Sequence, residues 1–319
     1  MPMQLNKEFS PYRPENLVSV DSFPKLASSV AGSKKVFWDD EKVFEEILSR
    51  NGGKIDLTAE EKKAIAGLMS IIYYGEIVAM HTSAQLVGLV PDLAAQFVLS
   101  FQTMEETKHV MMMGRYLKAL DIPIPEINPW AKKLLDSILA VDDPVLKLLG
   151  MNLIVENVAH SIFTMIQDNF DEPVLRDCLH YIDLDEVKHV ALAKNYLPEL
   201  LRKTGRVRAM RFVGYQILWN YYMIRAQTRI MEDAKPLNIN WNKQAKRDTI
   251  DWINLFKEIP EDARRGLITP PSRKQAEWLI DWLMPPEKFA HIEEKRLRMN
   301  AERRARMQPK ITAPHEGMN

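Results

Sequence analysis

The stretches Glu105-Glu106-Thr107-Lys108-His109 and Asp185-Glu186-Val187-Lys188-His189 decide the fold of this chain. Each holds a glutamate followed three residues later by a histidine, a spacing that places both side chains on one face of an α-helix. Aligned at an offset of 80 residues, the segments 106–120 and 186–200 are identical at seven of fifteen positions. One such pair is common by chance, but two in matching frames indicate an internal repeat.

A repeated helical hairpin also predicts where two further glutamates lie. A two-metal site inside a four-helix bundle takes a Glu-x-x-His pair from two helices and a single glutamate from each of the other two. Glu76 and Glu156 are 80 residues apart, and each precedes its motif glutamate by 30 residues. The midpoints, residues 91 and 171, fall in the predicted turns at 88–91 and 168–173. At roughly 1.5 Å per residue, both glutamates of a hairpin then lie at one height, about 22 Å from the turn.

The predicted site lies in an apolar interior. Positions three, four and seven residues from Glu76, Glu156 and Glu186 carry no Lys or Arg. Carboxylates that meet there repel one another unless cations neutralise them. The predicted metal ligands are Glu76, Glu106, His109, Glu156, Glu186 and His189. Glutamate and histidine suit two iron ions, or one manganese and one iron, and the single cysteine, Cys178, offers no thiolate set for structural zinc.

Other side chains near these positions are candidates for supporting roles. A metal-bound histidine usually donates its second N–H group to a carboxylate. We therefore expect Asp185 to partner His109, and Glu105 to partner His189. The candidate catalytic residues are Tyr73, on the face of Glu76, and His160, one turn after Glu156. Packing of Tyr73, and a hydrogen bond from His160 to a neighbour in the core, are the simpler alternatives.

Composition limits the classes of function. The 319 residues carry 43 Lys+Arg and 43 Asp+Glu, and this zero net charge argues against a nucleic-acid partner. One cysteine excludes an internal disulfide and favours a reducing compartment, so we expect a cytoplasmic protein. The first residues do not resemble a signal peptide, and the most apolar stretch, 212–224, is interrupted by Gln216 and Asn220. We therefore expect no membrane span.

Turn and cap signals divide an all-α chain. Thr58 and Glu61 form a predicted capping box that begins the first long helix, and Asp143-Pro144 begins the third long helix. Pro198 is expected to kink or end the fourth. We predict an N-terminal arm and short helix over 1–57, with 1–36 irregular, and the dimetal four-helix bundle over 58–205. C-terminal helices packed on the bundle follow over 206–295, and a basic, disordered tail occupies 296–319.

The six-ligand pattern, together with the segments 105–109, 155–159 and 185–189, resembles the ferritin-like di-iron carboxylate superfamily. Within it, the ribonucleotide reductase small-subunit-like oxidases are the most similar in appearance. The resemblance spans about 58–203 and implies a ferritin-like four-helix bundle with added N- and C-terminal helices. It also implies that Glu106 and Glu186 bridge the metals, whereas Glu76 and Glu156 are terminal ligands.

Several positions depart from the relatives. Met113 stands where the reductase small subunit has its radical tyrosine, and residues 307–319 contain no tyrosine for radical transfer. The Tyr-Val crosslink of the ligand-binding oxidases would require other residues than Met151 and Ala79. Ile182 replaces the extra histidine of the arylamine oxygenases. A role in nucleotide reduction is therefore not expected.

The leading hypothesis is an oxygen-activating, non-haem dimetal oxidase or oxygenase acting on C–H or N–H bonds of a small, largely apolar substrate. Its expected partners are that substrate, dioxygen and an external electron donor, and a homodimer is one candidate assembly. The alternatives are a non-catalytic metal-binding or iron-handling protein, or a ribonucleotide-reductase-like subunit that lacks the usual radical tyrosine. An open cavity beside the site favours the enzyme, whereas a sealed bundle favours the alternatives.

Overall fold

The computed structural model describes residues 24–35 and 37–307, and within them every regular element is helical. The helices are α1 Pro24–Lys35, α2 Asp40–Arg50, α3 Ala59–Leu89, α4 Leu93–Ala119, α5 Pro129–Ala140, α6 Pro144–Leu148, a π-helical segment Leu149–Val155, α7 Glu156–Asn169, α8 Pro173–Arg202, α9 Arg206–Asp233, α10 Trp241–Glu258, α11 Arg273–Leu283 and α12 Ile292–Met307. Short 3-10 turns lie at Lys235–Leu237, Glu261–Ala263 and Pro286–Phe289.

Four long helical segments form the bundle: α3, α4, α8 and the continuous run from α6 through α7. The capping box begins α3, since the Thr58 hydroxyl accepts from the Glu61 backbone N–H and the Glu61 carboxylate accepts from the Thr58 N–H. Pro173 occupies the first turn of α8, where its missing N–H costs nothing, and the Glu172 side chain caps that helix. The predicted helix boundaries are thereby confirmed at both hairpins, α3–α4 and α7–α8.

Two features of the long helices go beyond the predictions. Residues Leu149–Val155 adopt a π-helix between α6 and α7, within the third bundle helix. The fourth helix, predicted to kink or end at Pro198, does not end there but continues to Arg202 with Pro198 buried inside it. A proline deprives a helix of one hydrogen bond, and tertiary packing of the fully buried neighbours Leu197 and Leu201 outweighs that loss.

The ends of the described chain are more ordered than predicted. Residues Pro24–Lys35, expected to be irregular, form a helix in which Leu26 is buried. Residues 296–307, expected to belong to a solvated tail, lie in α12, and the Arg303 guanidinium there is buried and paired with Glu61. The Arg303 guanidinium also lies over the Phe170 ring at 4.3 Å. The remaining parts of both predictions, 1–23 and 308–319, lie outside the described residues.

The apolar core has two parts, one on each side of the layer that contains the candidate ligands. One cluster includes Leu86, Leu99 and Leu197 near one end of the bundle, and the other includes Ile65, Met113 and Leu179 near the opposite end. Each bundle helix contributes to both clusters, and its candidate ligands fall between the two contributions. The carboxylates are therefore enclosed above and below by closely packed aliphatic side chains.

Two helical segments, Ala59–Leu89 and Pro144–Asn169, are long and apolar enough to cross a membrane by length and composition alone. Half of the apolar window in the first segment and 61% of that in the second are buried inside the structure. Each segment also supplies a candidate metal ligand to the bundle interior. Burial in the core accounts for the apolar composition of both.

Candidate metal centre

The structure brings all six predicted metal ligands into one buried layer. Their side chains are at most 3% exposed. They form two groups in which the potential ligand atoms lie within 4.8 Å of one another. One group contains Glu76, Glu106, His109 and Glu186, and the other contains Glu106, Glu156, Glu186 and His189. Glu106 and Glu186 belong to both groups, which is the arrangement that two metal ions with bridging carboxylates require.

The first potential metal position is centred on His109. Its Nδ1 atom lies 3.3 Å from Glu76 Oε2, 3.3 Å from Glu106 Oε2 and 3.1 Å from Glu186 Oε1. Three carboxylate oxygens from three helices thus face one imidazole nitrogen. Since the α3–α4 hairpin returns Glu76 and Glu106 to the same height, the antiparallel pairing that was predicted from the turn midpoint explains this convergence.

The second position is centred on His189 and uses the other oxygens of the shared glutamates. His189 Nδ1 lies 3.1 Å from Glu106 Oε1 and 3.0 Å from Glu186 Oε2. Each shared carboxylate therefore directs one oxygen toward each histidine. The two imidazole rings are 5.8 Å apart between centroids, with Glu106 and Glu186 between the positions.

The second nitrogen of each histidine contacts a carboxylate, as predicted. His109 Nε2 lies 3.3 Å from Asp185 Oδ2, and His189 Nε2 lies 3.0 Å from Glu105 Oε2. These contacts cross between α4 and α8, so each motif supplies the outer partner for the histidine of the other motif. With Nε2 donating to a carboxylate, Nδ1 is left as the lone-pair donor that faces the shared glutamates.

A network of cationic and aromatic donors holds these outer carboxylates in place. Lys188 Nζ donates to Glu105 and, at 2.7 Å, to Asp185 Oδ1, whereas Lys108 Nζ donates to Asp185 Oδ2 at 2.9 Å. Trp38 Nε1 also donates to Asp185 Oδ2 at 2.9 Å, and the indole stacks on the His109 ring. Burial alone would raise the pKa of Asp185, but His109 and the two lysines hold that pKa below its ordinary value.

Two buried amides support the other side of the site. Gln102 Nε2 donates to Glu106 Oε1 at 3.1 Å and to Glu156 Oε1 at 3.3 Å. Asn152 Nδ2 in turn donates to Gln102 Oε1 at 2.8 Å and so fixes the amide orientation. Gln102 lies one turn before Glu106 on α4, and Asn152 lies in the π-helical segment one turn before Glu156.

Burial and charge shift the pKa values of the six side chains in opposite directions. Burial raises the pKa of Glu76 and Glu156 well above the ordinary value, and repulsion from Glu106 and Glu186 adds to it. For Glu106, burial is outweighed by His189 and His109, so its pKa lies well below the ordinary value. The pKa values of His109 and His189 are raised well above normal, because surrounding carboxylates outweigh the effect of burial. Protons and metal ions thus compete for the same atoms.

The donor set fits two metal ions. Glu106 Oε2 and Glu186 Oε1 are buried and accept no hydrogen bond of good geometry from any described residue. Both atoms face His109 Nδ1, and a buried carboxylate oxygen without a partner costs about 1–3 kcal/mol or more. A cation bound at the first position would satisfy both of these oxygens. Four carboxylates with two imidazoles are a donor set that suits iron and manganese.

An apolar cavity adjoins the site. It contains about 560 Å³ of empty space, part of it open to solvent, between α3, α5, α7 and α9. Its walls are formed almost entirely by aliphatic side chains, including Ile71, Leu135 and Met223. Glu76 and Glu156 are the charged side chains that line it. The two non-shared carboxylates therefore separate the metal layer from the cavity.

The predicted catalytic residues are not brought into the ligand groups. Tyr73 packs in the apolar cluster beyond Glu76, with its ring 5.4 Å from that of Tyr74. His160 lies at the surface, where Nδ1 contacts Asp183 Oδ1 at 2.6 Å and the imidazole is 46% exposed. That carboxylate raises the pKa of His160. Both positions fit the simpler alternatives better. Tyr73 packs against apolar neighbours, and His160 contacts a neighbouring carboxylate, although at the surface and not in the core.

Solved structures of similar fold are R2-like ligand-binding oxidases. A variant of such an oxidase with an aerobically reconstituted Mn/Fe cofactor superposes with a TM-score of 0.50 at 18% identity, over 79% of this chain and 92% of that chain. This chain has the ferritin-like helical fold of the R2-like oxidases. The R2-like ligand-binding oxidase from Sulfolobus acidocaldarius gives a TM-score of 0.49 at 19% identity, over 79% of this chain and 94% of that one. No protein-family model matches the chain, and neither does any curated protein.

Within this ferritin-like fold, sequence reasoning missed three contributors to the site. Gln102 precedes Glu106 by four residues, so its position on the ligand face of α4 was available from helical spacing. Asn152 precedes Glu156 by four residues, but that spacing alone does not indicate its hydrogen bond to Gln102. Trp38 reaches Asp185 across 147 residues of sequence, and no local pattern indicates that contact.

Proposed function

We propose that this chain is an oxygen-activating dimetal-carboxylate oxidoreductase that oxidises a small, largely apolar substrate held in the cavity beside Glu76 and Glu156. The observation that carries the proposal is the pair of overlapping ligand groups joined by Glu106 and Glu186, with an aliphatic cavity directly against it. The ferritin-like fold shared with R2-like ligand-binding oxidases supports it. Two iron ions, or one manganese and one iron, are the proposed cofactor.

In this proposal the six side chains divide into three pairs. Glu106 and Glu186 would be shared by both ions, because each directs one oxygen toward each histidine. His109 and His189 would each hold one ion through Nδ1, with the imidazoles oriented by Asp185 and Glu105. The remaining pair, Glu76 and Glu156, would each serve one ion at the boundary with the cavity.

When bound, such a metal pair supplies the reduction of dioxygen that drives oxidation of a C–H or N–H bond. The protein supplies position and environment. The aliphatic cavity walls bind and orient an apolar substrate and exclude water from it. An external electron donor is part of the proposal, because inserting one oxygen atom while reducing the other to water consumes two added electrons.

The cavity also distinguishes this function from the alternatives. An iron-handling protein requires a polar path along which hydrated ions reach the site, whereas the cavity that adjoins Glu76 and Glu156 is lined by aliphatic groups. A radical-generating reductase subunit carries its radical tyrosine four residues after the first ligand histidine. The corresponding position here is Met113, which is fully buried in an apolar cluster. The enzyme is therefore the function that we favour.

The test begins with metal analysis of the purified full-length chain, followed by anaerobic reduction and rapid mixing with dioxygen. The proposal predicts about two iron or manganese ions per chain and a transient, oxygen-dependent optical band. Product formation from apolar substrates should require the reduced, metal-loaded chain. Fewer than one ion per chain after reconstitution would contradict the dimetal site. Two ions without any reaction with dioxygen would contradict the oxidase and favour a structural or iron-handling role.

A further inference from the structure

The side of α9 that faces away from the bundle is unusually apolar. Phe212 and Trp219 on its inner side are fully buried, as expected of a packed helix. The opposite side presents large apolar side chains, which we call the α9 outer face. It consists of Val207, Met210, Ile217, Tyr221 and Ile224, which are 49–84% exposed, with Gly214 between Met210 and Ile217. An exposed apolar stripe of this kind on a surface helix marks a site of interaction.

The charges that border the α9 outer face are mostly positive. Residues 206–231 contain five arginines and no Asp or Glu, although the whole chain has equal numbers of acidic and basic residues. All five arginines are exposed, but Arg208 pairs with Asp143, and Arg229 pairs with Asp233. An apolar stripe flanked by exposed cations is the pattern of a helix that lies on an anionic lipid surface.

Aromatic side chains extend this surface onto α5. The Trp130 ring lies 5.6 Å from that of Tyr221 and 6.2 Å from that of Tyr222. Two cations, Lys133 at 4.3 Å and Arg225 at 4.9 Å, approach the same indole, and neither forms an ion pair with a carboxylate in the described part of the chain. Tryptophan and tyrosine are enriched where proteins meet lipid headgroups, because their rings combine an apolar body with a polar edge.

We propose that the α9 outer face, together with Trp130 and Lys133 of α5, docks on a membrane surface that contains anionic phospholipids. The charges favour this occupant over a second copy of the chain. In a symmetric pair of α9 helices, Arg206, Arg211 and Arg225 of both copies would lie along one seam and repel one another. Anionic headgroups instead complement the arginines, and the interfacial region accommodates the apolar stripe.

The same two helices form part of the cavity wall, which connects the docking surface to the candidate metal centre. Met223 of α9 and Ala131 and Leu134 of α5 line the cavity from the inner sides of these helices. A substrate dissolved in the membrane would therefore meet the protein beside its cavity. This last step rests on the proposed function, whereas docking itself requires no metal chemistry.

The test measures sedimentation of the full-length, metal-loaded chain with vesicles of phosphatidylcholine, with or without phosphatidylglycerol. Binding is expected to the anionic vesicles and to weaken as salt is added. Arg225→Gln and Lys133→Gln should each weaken binding roughly fivefold. The double variant Ile217→Ser/Ile224→Ser should weaken it by about tenfold or more. Leu297→Ser on α12, where Leu297 is 61% exposed, is the matched control and should bind like the parent chain.

Circular dichroism, metal content and sedimentation velocity of each variant separate docking from other effects. Native helicity and metal content in a variant that has lost vesicle binding support the proposal. Equal binding to neutral and anionic vesicles, or unchanged binding in both α9 variants, would overturn it. A shift from dimer to monomer in the Ile217→Ser/Ile224→Ser variant without vesicle binding by the parent would assign the α9 outer face to self-association. Equally tight binding of soluble polyglutamate would indicate an acidic protein partner instead.

Discussion

Glu106 and Glu186 differ from the other candidate ligands, because each lies in both ligand groups. Glu106→Gln keeps the side-chain shape but removes the charge that both positions share. We expect it to lower the metal content from about two ions per chain to below one. Glu76→Gln should leave about one ion, because Glu76 belongs only to the group around His109. Elemental analysis after reconstitution measures both, and Glu60→Gln, at an exposed site on α3, is the control. Equal losses in both variants would contradict the bridging assignment.

Metal binding at these side chains should depend on pH in a defined direction. The pKa values of His109 and His189 are raised by the surrounding carboxylates, so both imidazoles hold protons at neutral pH unless a metal ion displaces them. Affinity should therefore rise as pH increases toward the raised pKa values and fall as pH decreases. Each displaced proton changes the apparent dissociation constant about tenfold per pH unit. Calorimetric titration with Mn²⁺ in buffers of different ionisation enthalpy measures the number of protons released on binding. Release of no protons would contradict the competition between protons and metal ions for these side chains.

At the scale of single elements, the π-helical segment packs closely against α5 and α9 at Gly150. A Cβ atom on Gly150 would lie 2.8 Å from Trp219 Cη2 and 2.9 Å from Ile138 Cγ1. Gly150→Ala should therefore lower the free energy of unfolding by about 1–3 kcal/mol, because these side chains must move. Denaturant unfolding measures the change. Gly67→Ala, in α3 with no neighbour within 4 Å, should instead raise stability by about 0.5–1 kcal/mol. If Gly150→Ala instead raised the free energy of unfolding, Trp219 and Ile138 would be able to move away from the added methyl group at little cost.

The helices themselves were predictable where local signals act alone. The capping box of Thr58 and Glu61 and the start of α6 at Asp143-Pro144 depend on neighbouring residues, and the structure has them at the expected positions. The π-helical segment was not predicted from such signals, and its close packing, as of Gly150 against Trp219, joins residues far apart in sequence. Continuation of α8 through Pro198 likewise depends on burial of its neighbours. Local rules fail where tertiary packing dominates.

At the scale of the whole molecule, the convergence of the six ligands followed from the repeat, because matching hairpins return matching residues to one height. The surrounding network did not follow from it. Trp38 lies outside the repeat, in the segment before α2, and its hydrogen bond to Asp185 spans 147 residues of sequence. The cavity has the same origin, since α5 and α9 supply walls that the repeat does not encode. Duplication thus explains the symmetric metal layer, and the added helices explain the access to one side of it.

The cavity permits a test that separates metal binding from substrate binding. Ala159 lines the cavity one turn after Glu156, so Ala159→Phe should fill space that a substrate would occupy. The larger side chain should lower stability by about 1–3 kcal/mol while the chain still binds about two ions. Oxidation of an apolar substrate should fall by at least about tenfold, whereas the optical reaction of the reduced protein with dioxygen should persist. Ala301→Phe, at an exposed site on α12, is the control. Undiminished turnover in Ala159→Phe would place the substrate elsewhere, because a filled cavity cannot hold both the phenyl ring and an organic ligand.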